Sequence, residues 1–347
     1  MQDLFDRISG HYKQRLPLAC YRKPGANKLT AVFQHDAALH TADFNTAGFV
    51  FAPFDGTPLL LPYGQSEIHA ADWQATDSDG LHVIETTANP EDFERLVGQG
   101  IAAIQDGQFQ KVVLSRKEAV AVPDFELVSV FQKLASAYLS AFVYCFYHPK
   151  VGLWLGATPE KLLKIETNKF ETMALAGTQR FDGTEHVDWA QKEREEQQFV
   201  TDFIMENLEN VTTDIAFSDP YTYRAGNLLH LKTDISGTLD GASNTGRLVE
   251  LLHPTPAVCG LPKEAARRFI LEHEGYDRKF YSGYLGELYA DFYSDGILTD
   301  LYVNLRCMEV DGETAYLYVG CGITRESDPQ KEFVETVNKS MTIKKVL

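Results

Sequence analysis

Long apolar runs are missing from this 347-residue sequence. Its strongest, Ala141–Tyr147, is far shorter than the ~20 residues that a bilayer-spanning helix needs. The first stretch, MQDLFDRISGHYKQRLPLACYRKPG, carries no continuous apolar segment of the secretory kind. A cytoplasmic protein with no membrane partner is therefore expected. Basic residues are scarce: 32 Lys and Arg stand against 49 Asp and Glu, for a net charge of −17. Binding a phosphate backbone needs a basic face, so no nucleic-acid partner is expected. The cysteines, Cys20, Cys145, Cys259, Cys307 and Cys321, form no CxxC pair and are odd in number. Zinc ribbons and disulfide frameworks are thus unsupported, and a reducing compartment fits best. GxGxxG, the Walker A loop, HExxH and GxSxG are absent too, which weakens nucleotide-binding and serine-hydrolase readings.

What remains is a chain able to bury a core. Hydrophobic residues make up 44% and charged residues 23%, as in ordinary globular proteins. Residues 1–90 mix amphipathic pieces such as DLFDRISGHYKQRL with short β-like runs, GFVFAPF and LHVIETT. Pro90-Glu91-Asp92 opens a helix through FERLVGQGIAAIQDG, and KVVLSRKEAVAV (Lys111 to Val122) follows as a strand. FELVSVFQKLASAYLS has helical period, and AFVYCFYH reads as a buried strand. GLWLGAT, LLKIET and KFETMALAG continue in β period, and AQKEREEQQFVTDFIMENLEN is a long helix. LLHLKTDISGTL is a strand, and Pro262 opens a helix over Lys263 to Glu274. FYSGYLGELY, GILTDLYVNLRCMEV and TAYLYVGCGI read as further strands, the last two joined by an Asp311-Gly312 hairpin turn. Asp328 and Pro329 cap and open a final helix, KEFVETVNKSMTIKK. No linker-like stretch interrupts residues 91–347. The pattern predicts one α+β domain, with large, mostly antiparallel sheets and helices on the outside, and with residues 1–90 forming part of the same fold.

Several residue groups carry possible chemistry. Glu193 and Glu196 share one face of the long helix, and Glu332 and Glu335 share one face of the last. Such pairs are ordinarily solvated helix faces. On two converging helices they would instead suit a hard divalent cation. Lys339 lies four residues after Glu335, where it is either a helical ion pair or a cation facing an anionic ligand. Gly320 and Gly322 in VGCGITRESDP, and Gly177-Thr178 at the end of ALAGT, allow backbone amides to approach an anion. Lys111 opens a strand; as a base it would need its pKa lowered from ~10.4. Glu160 follows a buried-looking strand; as an acid it would need a raised pKa. His230 and Arg306 each sit in apolar runs. A histidine there is most often a satisfied core residue, whereas a buried guanidinium demands an anionic partner and points to a carboxylate substrate.

Six ordered motifs bind these groups together: KVVLSR, ATPEKLL, ALAGTQR, KEREEQQFV, HPTPAVCGLPKEAA, and YVGCGITRESDPQKEF with Glu335, Thr336 and Lys339 following. From about residue 90 to the C-terminus the chain resembles the chorismate-utilising enzymes, which include isochorismate, salicylate, anthranilate and aminodeoxychorismate synthases. The resemblance implies two large, mostly antiparallel β-sheets packed together, with helices outside and a site in a cleft. It implies Mg²⁺ held chiefly by Glu196 and Glu335, with Glu193 and Glu332 acting directly or through water. It implies chorismate as substrate, with Arg306 and the amides near Gly320 on the enolpyruvyl carboxylate. Gly177, Thr178, His230, Ala257, Cys321, Gly322 and Lys339 would line the pocket. Lys111 matches the base of the isochorismate- and salicylate-forming members, which activates the water attacking ring C2. Glu160 matches the acid that protonates the departing C4 hydroxyl. Ala176 stands where aminodeoxychorismate synthases carry a nucleophilic lysine, so no glutaminase subunit is expected, and a monomer or weak homo-oligomer is. Gln197 departs from the pattern: many relatives have a histidine immediately after the ligand glutamate. A non-catalytic chorismate-binding relative is the alternative of another class, and the set Lys111, Glu160, Glu196 and Glu335 speaks against it.

Overall fold

A computed structural model describes residues 1–75, 88–226, 228–241, 244–292 and 296–347. Its first elements are α1 (Gln2–Lys13), β1 (Leu18–Arg22), β2 (Lys28–Gln34), β3 (His40–Thr41), β4 (Gly48–Ala52), β5 (Leu59–Pro62) and β6 (Ser66–Asp72). Next come α2 (Pro90–Gln105), β7 (Lys111–Ala121), α3 (Leu127–Ala137), β8 (Phe142–His148), β9 (Gly152–Thr158), β10 (Lys161–Glu166), β11 (Lys169–Arg180) and α4 (Gln191–Leu208). The remainder are β12 (Thr212–Phe217), β13 (Tyr221–Ala225), β14 (Leu228–Leu239), α5 (Thr245–Leu252), β15 (Gly260–Leu261), α6 (Lys263–His273), β16 (Tyr284–Leu288), β17 (Leu298–Val303), β18 (Cys307–Asp311), β19 (Thr314–Ile323) and α7 (Pro329–Lys344). The β-like run LHVIETT lies outside the described residues.

The strands form two antiparallel sheets. One has nine strands in the order β15-β7-β19-β18-β9-β8-β1-β2-β6; the other has ten, β12-β14-β11-β10-β17-β16-β4-β5-β3, with β13 added alongside β14. Strands from residues 1–75 therefore extend both sheets. β8 shows why the sheets stack. Phe142, Tyr144 and Phe146 project to one face and Val143, Cys145 and Tyr147 to the other, as the two-residue period of a strand requires. The first set joins an aromatic layer between the sheets, with Phe51 against Phe146 at 4.2 Å and Tyr302 against Phe142 at 4.4 Å between ring centres. The second set packs on α1 and α3. α4 and α5 cover the outer face of the ten-stranded sheet, and α2 and α6 lie over β7 and β19. Asp328 caps α7 as the sequence indicates, accepting from the amides of Gln330 and Lys331; at the start of α2 the cap is Asn89, which accepts from the Glu91 amide.

Two readings need correction. GILTDLYVNLRCMEV is not one strand. It breaks after Val303, and its halves belong to different sheets: β17 to the ten-stranded, β18 to the nine-stranded. Arg306 stands at the break with φ 49°, a left-handed conformation that side chains other than glycine rarely adopt. In FYSGYLGELY the strand starts only at Tyr284, because Lys279 and Ser282 also take positive φ in the preceding turn. β12, β13 and α5 were not singled out by periodicity.

Candidate active site

Of the chain's passages between the sheets, two lie side by side. One is Pro159–Glu160, between β9 and β10; the other is Asn304–Arg306, between β17 and β18. Backbone bonds tie the two crossings together, Val303 N–H to the Glu160 carbonyl at 2.9 Å and Ala157 N–H to the Arg306 carbonyl at 3.2 Å. Both crossings open onto one cavity. Its wall includes Lys111 and Val113 of β7, Glu160, Ala176 to Thr178 of β11, Glu196 of α4, His230 of β14, Ala257, Arg306, Gly320 to Gly322 of β19, and Glu335 and Lys339 of α7. The motifs that are scattered over the sequence thus meet at one place. Glu193 and Glu332 stand beside that wall, not in it.

Strand period explains the placement of the base candidate. Val112 and Leu114 pack under α2 and α6, which turns Lys111 and Val113 inward. Lys111 is 1% exposed, and its Nζ is 3.5 Å from Glu196 Oε2. Burial lowers the Lys111 pKa against the pull of Glu196, and it raises that of Glu196 against Lys111 and Lys192. Both partners are pushed toward their neutral forms. Gly322 makes their approach possible: a Cβ there would lie 2.6 Å from Glu196 Oε2 and 3.0 Å from Lys111 Cε.

On the side of the crossings, Glu160 is 4% exposed. Burial pushes its carboxyl up to about 8, although Lys111, Lys339 and Arg306 all oppose the shift. A carboxyl in that state carries a proton at neutral pH and can donate it. Arg306 Nη2 donates to His230 Nε2 at 2.6 Å, and His230 Nδ1 donates to the Gly177 carbonyl at 2.8 Å. This pair of bonds assigns a neutral imidazole, and burial followed by Arg306 lowers the His230 pKa well below its ordinary value. Burial also lowers Arg306, to about 10, so the guanidinium remains charged at neutral pH and has no carboxylate among its named hydrogen-bond partners. The β11 ladder shifts register between Ala176 and Gln179, and Gly177 has φ 67°. The bulge turns Gly177 and Thr178 to the cavity. A Cβ on Gly177 would lie 3.0 Å from Glu193 Cβ.

Lys339 is held twice, by Glu335 Oε1 at 2.7 Å and by the Gly320 carbonyl at 2.9 Å. Cys321 borders the cavity, but its thiol turns to α7 and reaches the Glu332 carbonyl at 3.7 Å. Gln197 is structural: its amide donates to Thr201 and Thr233 hydroxyls at 2.8 and 2.7 Å. Missed in the sequence were Val258, Tyr281, Leu305 and Tyr318, apolar and aromatic parts of the wall. Lys192 was missed as well. Its ammonium pairs with Glu332 Oε1 and lies 3.7 Å from Glu196 Oε1.

Among the described residues, no three His, Cys, Asp or Glu side chains stand close enough as placed to ligate one ion. The donor chemistry nonetheless fits a hard cation. Glu193 Oε2 is buried with no hydrogen-bond partner, Glu335 and Glu332 both press on the Glu196 carboxyl, and a single ammonium already draws Glu196 and Glu332 toward one point. Mg²⁺ takes only one or two protein carboxylates directly and keeps several waters.

A buried amine, a buried carboxyl that burial keeps protonated and a charged guanidinium thus share one cavity, an arrangement suited to acid–base chemistry on a small anion. The chain belongs to the chorismate-binding enzymes, whose family model matches residues 65–347. It is 33% identical over 264 residues to the salicylate biosynthesis isochorismate synthase of Pseudomonas aeruginosa, covering 74% of this chain and 54% of that protein. The chain thus spans about half the length of that relative. It is 30% identical over 341 residues to the isochorismate synthase EntC of Escherichia coli, covering 92% of this chain and 85% of EntC. The solved structure of DhbC from Bacillus anthracis has the same fold, with a TM-score of 0.82 at 24% identity over 99% of each chain.

Proposed function

We propose that this protein is a Mg²⁺-dependent isochorismate synthase acting in menaquinone or siderophore synthesis. The observation that carries the reading is the placement of Lys111 and Glu160 on one cavity, each pushed by burial toward its neutral form. Neutral Lys111 takes a proton from a water as that water's oxygen bonds to ring C2 of chorismate. Glu160 gives its proton to the C4 hydroxyl as the C4–O bond breaks, so one water enters, one leaves, and the ring double bonds shift between them. Arg306, oriented by His230, grips one substrate carboxylate with the help of amides at Gly320 to Gly322. Gly177, Thr178, Ala257 and Lys339 shape the rest of the pocket.

Glu196 and Glu335 would hold the Mg²⁺, with Glu193 and Glu332 acting directly or through water. When bound, the ion supplies positive charge for the ring carboxylate and fixes the ring's orientation. The nucleophile is water, so no ammonia source and no glutaminase subunit are needed. No helix among the described residues is long and apolar enough to cross a membrane, and we place the enzyme in the cytoplasm.

The test is chromatography of products after the purified protein is incubated with chorismate and Mg²⁺. Isochorismate is the expected product. Salicylate with pyruvate would move the enzyme to the salicylate synthases, and unchanged chorismate would remove the catalytic assignment.

A further inference from the structure

Lys192 sits in the first turn of α4, two residues after the Ala190 cap. A cation there opposes the helix dipole, which favours negative charge at an N-terminus. Something must offset that cost, and two carboxylates do. Glu332 reaches Lys192 from α7, and Glu196 lies one turn further along α4, 3.7 Å away. The side chains of Glu332 and Glu196 are 3% and 8% exposed, that of Lys192 25%. Lys192 thus spans an inner and an outer side. Inward it meets the oxygens assigned above to the metal. Outward it borders a separate groove whose wall includes Glu195, Arg325 and Glu326.

An ammonium and a divalent ion cannot both occupy that inner point. Mg²⁺ bonds its oxygens at roughly 2.0–2.1 Å, whereas the ammonium now hydrogen-bonds Glu332 Oε1 directly. Of the four carboxylates, Glu196 already faces Lys111 at 3.5 Å and Glu335 faces Lys339 at 2.7 Å, while Lys192 is the cation that reaches Glu332.

Resting on the magnesium assignment, we propose that Lys192 is a built-in counter-cation: in the metal-free protein its ammonium holds the place where the ion's ligands converge, and loading the ion drives it into the outer groove. The exchange keeps Glu332 and Glu196 facing a cation on this side in both states. It also sets the metal affinity, because every bound ion must first break the Lys192 ion pairs. Glu195 and Glu326 offer the released ammonium new partners, so its departure does not leave a bare charge. Glu160 and Arg306 take no part in it, whereas Lys111 shares the Glu196 carboxylate with Lys192.

The experiment measures Mg²⁺ binding to the full chain by calorimetry, and Mn²⁺ binding by electron paramagnetic resonance, for the wild type, Lys192→Met and Lys192→Gln. Both variants should bind the ion at least about tenfold more tightly, the equivalent of roughly 1.4 kcal/mol. In EDTA their Tm should fall below that of the wild type, and the rise on adding Mg²⁺ should be larger. A lysine with a merely structural role would lower Tm with and without the ion and leave affinity unchanged or weaker. That result overturns the proposal. If the wild type itself binds neither ion, the magnesium assignment fails first and the role of Lys192 falls with it. Wild-type binding matched by both variants removes Lys192 alone.

Discussion

Lys111 Nζ and Glu196 Oε2 stand 3.5 Å apart with side-chain exposures of 2% and 8%. That separation is close enough for an ion pair and dry enough to disfavour one. That arrangement suits the roles proposed for them, Lys111 taking a proton from water and Glu196 facing the metal.

Removing the amine should remove the reaction. Lys111→Ala is expected to fold, with an unchanged circular dichroism spectrum, and to lose about 10²–10⁴-fold in kcat, the usual contribution of a positioned base. Turnover within a few-fold of the wild type would take the base role away from Lys111.

The pH profile of kcat/KM should be bell-shaped. Activity rises as Lys111 loses its proton, at a pH below the ordinary lysine range because burial lowers its pKa. It falls again near pH 8, where Glu160 loses the proton it must donate. In Glu160→Gln the residual activity should lack that alkaline fall. A limb near pH 8 that survives the substitution would have to come from another group.

Glu160 should also weaken the fold that carries it. Its folded pKa, about 8, lies above the ordinary carboxyl value. The stabilisation is therefore complete below pH ~4.3 and lost progressively as pH climbs to about 8. Glu160→Gln should be more stable than the wild type at pH 8, by up to a few kcal/mol, with the gap closing toward pH 4. Urea melts at the two pH values measure it, and an equal gap at both would contradict the burial argument.

Gly322→Ala isolates geometry from chemistry. Gly322 needs no left-handed backbone, so the added methyl acts only by its bulk, 2.6 Å from Glu196 Oε2. We expect at least a tenfold loss in kcat/KM, the effect of about 1.4 kcal/mol, with weaker Mg²⁺ binding and little change in Tm. Wild-type kinetics would show that Glu196 can retreat at no cost.

Arg306→Lys tests the grip on the substrate. The charge stays but the planar fork is lost, which at a carboxylate site is not a conservative change. KM for chorismate should rise about 10- to 100-fold with a smaller effect on kcat. The reverse split would place Arg306 on the reacting atoms.

How much of this was legible beforehand follows from particular residues. α7 was readable because Asp328 and Pro329 mark its start and because Glu332 and Glu335 repeat at helical spacing. β8 was readable because its apolar run is too short for anything but a buried strand. Arg306 stood out as a guanidinium in an apolar run, yet the break beside it did not. The residues on either side keep β character, and only packing of the second sheet decides where the chain crosses. Lys192 looked like one more charge on an acidic helix. The signal was there in its first-turn position, where the dipole disfavours a cation. The strands of the first 75 residues were faint for another reason: they extend sheets whose other members lie far along the chain.

The two crossings at Glu160 and Arg306 have a mechanical consequence. The residues proposed as proton donor and anion clamp ride on the seam where one slab of strands hands the chain to the other, so their alignment is only as good as the registry of the slabs. Warming that lets the aromatic layer slide should blunt turnover while the helices are still intact, making the catalytic rate an early gauge of loosening in the interior.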